Sequence, residues 1–287
     1  MATGVRSLSR PDYPLRLAAA PGAPTSIYVR GELPETPRAV ALVGARAARG
    51  HSVATARAMA TELAEAGVLV VSGGAIGVDS AAHRGALDAG RPTVAVLAGG
   101  LTAPYPGRNR PLFDEIVAAG GGLLSMQAPG EQPLRPYFVA RNAVIAAMVD
   151  AVVVIEAQVA SGSLHTALAA RRLGRVLAAA PGSPGCEALL AQGAAVAETA
   201  ADVIAALDGT PRRPHAQLPE DGTREALALG ALELAAPQTG AAIAVRSGLE
   251  PREAARALTG LELEGLALLV PGQMYLRSPL ADQLMQR

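Results

Sequence analysis

The chain has 287 residues, half of them hydrophobic but only 2% aromatic, and its 25 basic residues balance 25 acidic ones. Every basic residue is an arginine, because the sequence contains no lysine. Zero net charge excludes a polycationic coat for nucleic acid and an acidic solvating tail, so charge must act by local placement.

The N-terminal stretch MATGVRSLSRPDYPLRL lacks the apolar core of a secretory signal, and no apolar run reaches the roughly 18 residues of a membrane span. Cys186 is the single cysteine, which excludes an intramolecular disulfide or a cysteine-based zinc cluster. A reducing cytoplasm fits these features. The four histidines show no metal-ligand spacing, and neither a metal nor a cofactor is expected. Residues 1–38 read as an N-terminal extension in which SIYVRG (26–31) is an added strand that extends a sheet. From Ala39 to about residue 208, short apolar runs alternate with Ala/Leu-rich helical stretches. The runs are AVALV, VLVV, TVAVL, GLLS, AVVVI and RVLAA, each bounded by glycine and nearly continuous in hydrophobicity, as in parallel strands buried on both faces. The segment SVATARAMATELAEAG (52–67) carries a serine start and a glycine stop, which predicts a helix. The pattern is a doubly wound α/β sheet, whose ligands bind beyond the carboxyl ends of the strands.

Residues 209–222, rich in Pro, Gly and charge, read as a linker. Residues 223–287 resolve into helices at about 223–235, from Thr239, and over 250–264. Two short strands around a Pro-Gly turn follow, which together describe a small winged-helix domain. Its third helix sets Arg252 and Arg256 against Glu250, Glu253, Glu262 and Glu264, a poor surface for DNA. This domain is therefore expected to make protein contacts or to modulate the main domain.

Four glycine-rich loops follow the strands. The first, GARAARGHS (44–52), offers Gly44, Arg46 and Arg49 beside a helix start, where backbone N–H groups and the positive helix end favour an anion. The second, SGGAIGVDSAAH (72–83), supplies Ser72, Gly73, Gly74 and Gly77, with Asp79 placed as an N-terminal cap. The third ends in Arg108, Asn109 and Arg110, and the fourth carries Ser161, Gly162 and Ser163. Together they predict a phosphate-lined cleft. Tyr105, Tyr137 and Phe138 lie where a base-stacking platform would put them, although Phe138 equally fits a helix anchor. Neither the G-x-G-x-x-G spacing of a dehydrogenase nor a catalytic constellation is present.

These stretches resemble the DNA-processing protein A (DprA/Smf) family. The matching motifs include YPLRLAAAPGAPTSIYVRGEL, ALVGAR, VVSGGAIGVDSAAHRGAL, YPGRN, YFVARNAVIAAM and VVVIEAQVASGSLHTALAA, in the family's order over about residues 13–205. The resemblance implies a Rossmann-like, mostly parallel α/β domain in a dimeric, non-catalytic, single-stranded DNA-binding protein. Such proteins protect incoming DNA during natural transformation and help load the RecA recombinase. It places Gly44 and Arg46 on phosphate, with Ser72, Gly73, Arg141, Asn142, Ser161, Gly162 and Ser163 around the same pocket. The loop reading adds Gly74, Asn109 and Phe138. The N-terminal helical domain of some members is not expected. Ala45, Ile76, Met126, Ala143 and Glu187 depart from the family pattern, and Ile76 and Ala143 stand where basic residues are common. Fewer phosphate contacts imply a weaker and less salt-sensitive complex.

Two other classes fit the same fold. One is a nucleotide-processing enzyme of the LOG (lysine-decarboxylase-like) type, whose PGGxGTxxE motif is not matched by EAQVASGSLHTALAA. The other is a nucleotide-ligand sensor that kept the pocket and lost DNA affinity. The charge distribution fits a confined DNA site: residues 1–110 hold 12 arginines against 7 acidic residues, so the basic excess falls on the half bearing the first three loops.

Overall fold

The structure is a computed structural model. It describes residues 4–10, 12–159, 161–209, 218–263, 266–270, 272–278, 281–282 and 285. Two compact units are present, Met1–Cys186 with Ala197–Arg212, and Glu187–Val196 with Arg213–Arg287. Of the predicted linker, residues 210–217 lie outside the described residues.

In the larger unit, β1 (Val5–Ser9), α1 (Leu15–Ala18) and β2 (Ser26–Gly31) precede β3 (Ala39–Gly44), α2 (Gly50–Glu65), β4 (Leu69–Gly73), α3 (Val78–Asp88) and β5 (Thr93–Leu97). Then come α4 (Arg110–Ala118), β6 (Gly122–Ser125), α5 (Arg135–Ala147), β7 (Ala151–Glu156), α6 (Gly162–Arg172) and β8 (Val176–Ala179). The strands lie in the order β1-β2-β6-β5-β4-β3-β7-β8. Those from β6 to β8 pair in parallel, whereas β2 joins β6 and β1 joins β2 in antiparallel sense. Every residue of β4, β5, β6 and β7 is buried, which is why these strands read as continuous apolar runs. The SIYVRG strand does extend the sheet, and β1 extends it once more. VRSLS gave no signal because an exposed edge strand needs neither a continuous apolar run nor strict alternation.

The chain lays down β3 to β6 outward and then returns to set β7 against the other side of β3. The direction of growth reverses between β3 and β7, which opens a crevice at their carboxyl ends. The register also shifts there, at Val43/Gly44 opposite Glu156. A Cβ on Gly44 would lie 2.7 Å from Val78 Cγ2, so only glycine lets the strand end pass this close to α3. Helices α2 and α3 meet almost backbone to backbone, since a Cβ on Gly85 would fall 2.1 Å from the Arg57 carbonyl oxygen. The loops that begin these two helices are thereby held in fixed relation. Below the crevice, Leu97, Leu101, Phe113, Ile116 and Leu123 form an apolar cluster.

The remaining elements are α7 (Pro184–Ala191), β9 (Ala195–Val196), α8 (Ala200–Leu207), α9 (Arg224–Ala231), β10 (Gln238–Thr239), α10 (Gly240–Ser247), α11 (Pro251–Leu263), β11 (Ala267–Val270) and β12 (Met274–Arg277). The last six provide three helices and a sheet in the order β10-β12-β11, packed around Leu229, Ile243, Leu258, Leu261 and Leu266. α9 stops at Ala231 rather than 235, because Leu232 is already extended. Glu264 and Pro271 lie outside the described residues.

Around α11 the exposed charges are Arg252 and Arg256, with Glu250 just before the helix, while Glu262 is half-buried. Arg252, Ala255, Arg256 and Thr259 are exposed, whereas Glu253 is half-buried and pairs with Arg224 at 3.0 Å. Helical spacing separates the two signs that the sequence interleaves. Among the described residues no helix is long and apolar enough to cross a membrane.

Candidate nucleic-acid interface

A cleft of about 310 Å³ lies at the crevice. β3 supplies Val43 and Gly44, the loop after it Arg46, and the β4–α3 turn with the first turn of α3 supplies Ala75 and Asp79. α5 contributes Phe138, Arg141, Asn142 and Ile145, and the start of α6 contributes Ser161, Gly162, Ser163 and Thr166. A second lobe of about 200 Å³ shares Arg46, Ala75, Phe138 and Arg141 and is otherwise apolar, lined by Ala47, Gly74, Ile76, Ala98, Tyr105 and Pro106.

The three helices that start here use their N-termini differently. Glu156, at the end of β7, fills the start of α2: its Oε2 accepts the Arg49 N–H at 3.0 Å, and its Oε1 lies 3.6 Å from Arg49 Nε. Burial pushes this carboxyl up, but hydrogen bonds from Ser52 and Arg49 and the Arg49 charge outweigh it, holding Glu156 below the usual carboxylate range. The expected anion position at α2 is thus occupied by the protein's own carboxylate. Ser52 serves that carboxylate and is not a cap, since the N-cap is Arg49. At α3 the N-cap is Gly77, with φ of 92°, and Asp79 lies in the first turn, where Oδ2 accepts the Ala75 N–H at 3.2 Å. α6 is the helix whose start opens into the cleft, capped by the Ser161 hydroxyl, with Asn142 Nδ2 donating to the Gly162 carbonyl at 3.1 Å.

Arg141 forms the floor. It is 7% exposed, and it donates from Nη1 to the Val96 carbonyl at 2.8 Å and from Nε to Asn142 Oδ1 at 3.1 Å. Asp79 Oδ2 and Arg141 Nη1 flank Gly73, where an added Cβ would meet them at 2.4 and 2.3 Å. Burial lowers the affinity of the Arg141 guanidinium for its proton, Asp79 opposes that, and Arg46 adds to it. Burial likewise pushes the Asp79 carboxyl up, against the pull of Arg141, the Ala75 N–H and Arg46.

At the mouth, the Arg46 guanidinium carbon sits 5.1 Å from the Phe138 ring centroid, a cation–π arrangement. Tyr105 meets the same ring edge-on, at 6.3 Å between centroids. Tyr105 is half exposed and Phe138 half-buried, so a cationic and aromatic shelf stands beside the α6 start. Of the three aromatics expected to form a platform, Tyr105 and Phe138 meet and Phe138 lines both lobes, whereas Tyr137 lines neither.

Of the residues singled out in sequence, Gly44, Arg46, Phe138, Arg141, Asn142, Ser161, Gly162 and Ser163 line the main lobe and Gly74 the second. Ser72, Gly73 and Asn109 lie behind the lining. The Ser72 hydroxyl donates to the Leu42 carbonyl at 2.6 Å, and the Gly73 carbonyl is held by His83. Asn109 Nδ2 reaches the Gly74 carbonyl and Ser80 Oγ, each at 2.9 Å, so it ties down the turn. His83, on α3, is fully buried. Sequence reading missed Thr166, Ile145, Ala47 and Ala98 as lining residues. Helical spacing from Asn142 and Ser163 could have found Ile145 and Thr166.

The basic excess of residues 1–110 is mostly matched by carboxylates of the same chain. Arg6, Arg16, Arg30, Arg38, Arg49, Arg57 and Arg84 each pair with a carboxylate. Positive charge in the cleft comes from Arg46 and Arg141.

Comparison with known proteins adds sequence and structural relatives. Residues 5–208 match the family model described as DNA recombination-mediator protein A. A putative DNA processing protein DprA of Mycobacterium tuberculosis is 44% identical over 247 residues, covering 80% of this chain and 62% of the relative. The DNA processing protein DprA of Streptococcus pneumoniae is 38% identical over 201 residues, covering 67% of this chain and 70% of the relative. This chain thus spans less than two thirds of the length of the mycobacterial protein. The X-ray structure of the S. pneumoniae protein superposes with a TM-score of 0.63 at 37% identity, covering 70% of this chain and 73% of that one. DNA processing protein A from Helicobacter pylori, whose structure concerns its single-stranded DNA binding mode, gives 0.66 at 29% identity, covering 74% and 99%.

Proposed function

The chain belongs to the DNA recombination-mediator protein A family, and from that premise we propose that its cleft binds the backbone of single-stranded DNA with an unpaired base against the Arg46–Phe138–Tyr105 shelf. One observation carries this reading: a cation, an aromatic ring and the N-terminus of α6 border the same cleft. Backbone N–H groups and arginines suit phosphate, while an exposed ring edge and face suit a base that no partner strand covers. A duplex keeps its bases stacked inside and offers nothing to such a shelf. Gly44, Arg46, Arg141, Asn142 and Ser161–Ser163 act as the contacting set, with Ser72, Gly73 and Asn109 shaping the turn behind it.

The wider role that fits this site is protection of incoming single strands and assistance in loading the RecA recombinase during natural transformation. The protein would act in the cytoplasm, as a homodimer and by binding without turnover. The S. pneumoniae and H. pylori relatives support the DNA-binding part of this reading.

Titration of a labelled oligo-dT, beside a duplex of equal length and with an Arg46→Ala variant, tests the proposal. Single strands are expected to bind at least about tenfold more tightly than duplex, and Arg46→Ala to weaken binding about 5- to 30-fold, the range for a partly exposed charge-assisted contact. Equal binding of both forms, or a neutral Arg46→Ala, would refute it.

A further inference from the structure

We infer that the cleft is matched to the single negative charge of an internal phosphodiester and disfavours a doubly charged terminal phosphate, with Asp79 as the residue that sets this preference. The inference rests on the reading of the cleft as a single-stranded DNA site. Among the described residues that line it, the charged ones are Arg46, Arg141 and Asp79. The second lobe repeats the two arginines and adds no further charge. Arg141 is buried, and its hydrogen bonds go to neutral acceptors, the Val96 carbonyl and the Asn142 amide. A guanidinium keeps its proton in proteins, so a buried one needs a counter-ion, and the carboxylate across Gly73 is the one at hand.

The other titratable groups nearby do not alter the balance. His83, on α3 behind Gly73, holds its proton only below pH of about 4. Glu156, on β7, is committed to the start of α2. Two arginines against one carboxylate leave one positive charge, which one diester neutralises. A second phosphate charge finds no further cation and faces the Asp79 carboxyl in a partly desolvated site. Internal positions of a strand are thereby preferred over a phosphorylated end or a free mononucleotide.

The test is competition at pH 8, where a terminal phosphate, with a second ionisation near pH 6, is fully dianionic. The full chain is bound to a labelled oligo-dT without terminal phosphates and challenged with thymidine 5′-monophosphate or with its methyl ester, which has the same base and sugar but a single charge. The ester is expected to compete about fivefold better or more, the effect of one unmatched like charge at partial exposure. In Asp79→Asn that ratio falls to about one or below. The inference is overturned if the dianion competes as well as the ester in the unaltered protein, if neither displaces the probe, or if Asp79→Asn leaves the ratio unchanged. The measurement on the unaltered protein stands even if the variant folds poorly. Failure of the oligonucleotide itself to bind would overturn the single-stranded DNA reading as well, whereas binding with a ratio of one overturns the charge assignment alone.

Discussion

Replacing Arg141 with methionine should destabilise the protein by about 3–5 kcal/mol, because it leaves a carboxylate buried without its counter-ion. The Asp79 residue is 5% exposed and can reach little water, and the Val96 carbonyl loses its donor in the same step. Removing the acid as well should restore much of the loss, since the double variant Arg141→Met/Asp79→Asn contains neither charge. Urea unfolding of the unaltered protein, the two single variants and the double variant gives the coupling, expected at about 1–3 kcal/mol. Additive costs would mean that Arg141 and Asp79 do not form a unit. The variant should also lose oligonucleotide binding, since the deeper of the two cleft cations is gone.

Stability should fall by about 3 kcal/mol as pH drops from 6.5 to 4 through His83 alone. Its Nε2 lies 2.8 Å from the Gly73 carbonyl oxygen, which can only accept, so Nε2 carries the hydrogen; Nδ1 lies 2.8 Å from Thr93 Oγ1. Burial is the main force that lowers its pKa from 6.5 to about 4, the Gly73 hydrogen bond opposing it and Arg141 adding to it. Between these values the unfolded chain holds a proton that the folded one excludes. The contribution is therefore complete above pH 6.5, is lost progressively down to 4, and changes no further below that. Urea unfolding from pH 4 to 7.5 should show this decline in the unaltered protein and lack it in His83→Gln, whose side chain does not titrate. Identical declines in the two proteins would show that His83 is protonated in the fold.

Much of the architecture was legible because parallel strands covered on both faces must be apolar along their length, as in AVVVI of β7 and TVAVL of β5. Legibility failed where long-range pairing decides the outcome. Nothing in GARAARGHS reveals that a carboxylate 107 residues away, Glu156, closes the α2 start and takes Arg49 with it. The same limit applies to the charge count. The arginine excess of the first 110 residues falls on the half bearing the first three loops, but partners such as Asp150 for Arg16 and Asp208 for Arg38 lie far along the chain. Glycine spacing located the loops without separating lining from support, since Ser72 and Asn109 turn their polar groups toward neighbouring backbone. On α11 a period of 3.6 places Arg252 and Arg256 together on the exposed face and turns Glu253 toward Arg224, which is legible in the sequence.

In the proposed mode, single strands are held in one small cleft by few charges, with base stacking and backbone amides supplying the rest. Its most direct test is the salt dependence of binding to a short oligo-dT. Two cleft arginines, one of them balanced by Asp79, should neutralise one phosphate, which gives a slope of log K against log salt of about −0.7 that flattens toward zero in Arg46→Ala. A slope steeper than about −3, or one that Arg46→Ala leaves unchanged, would rule this mode out, because binding would then depend on charges outside the cleft.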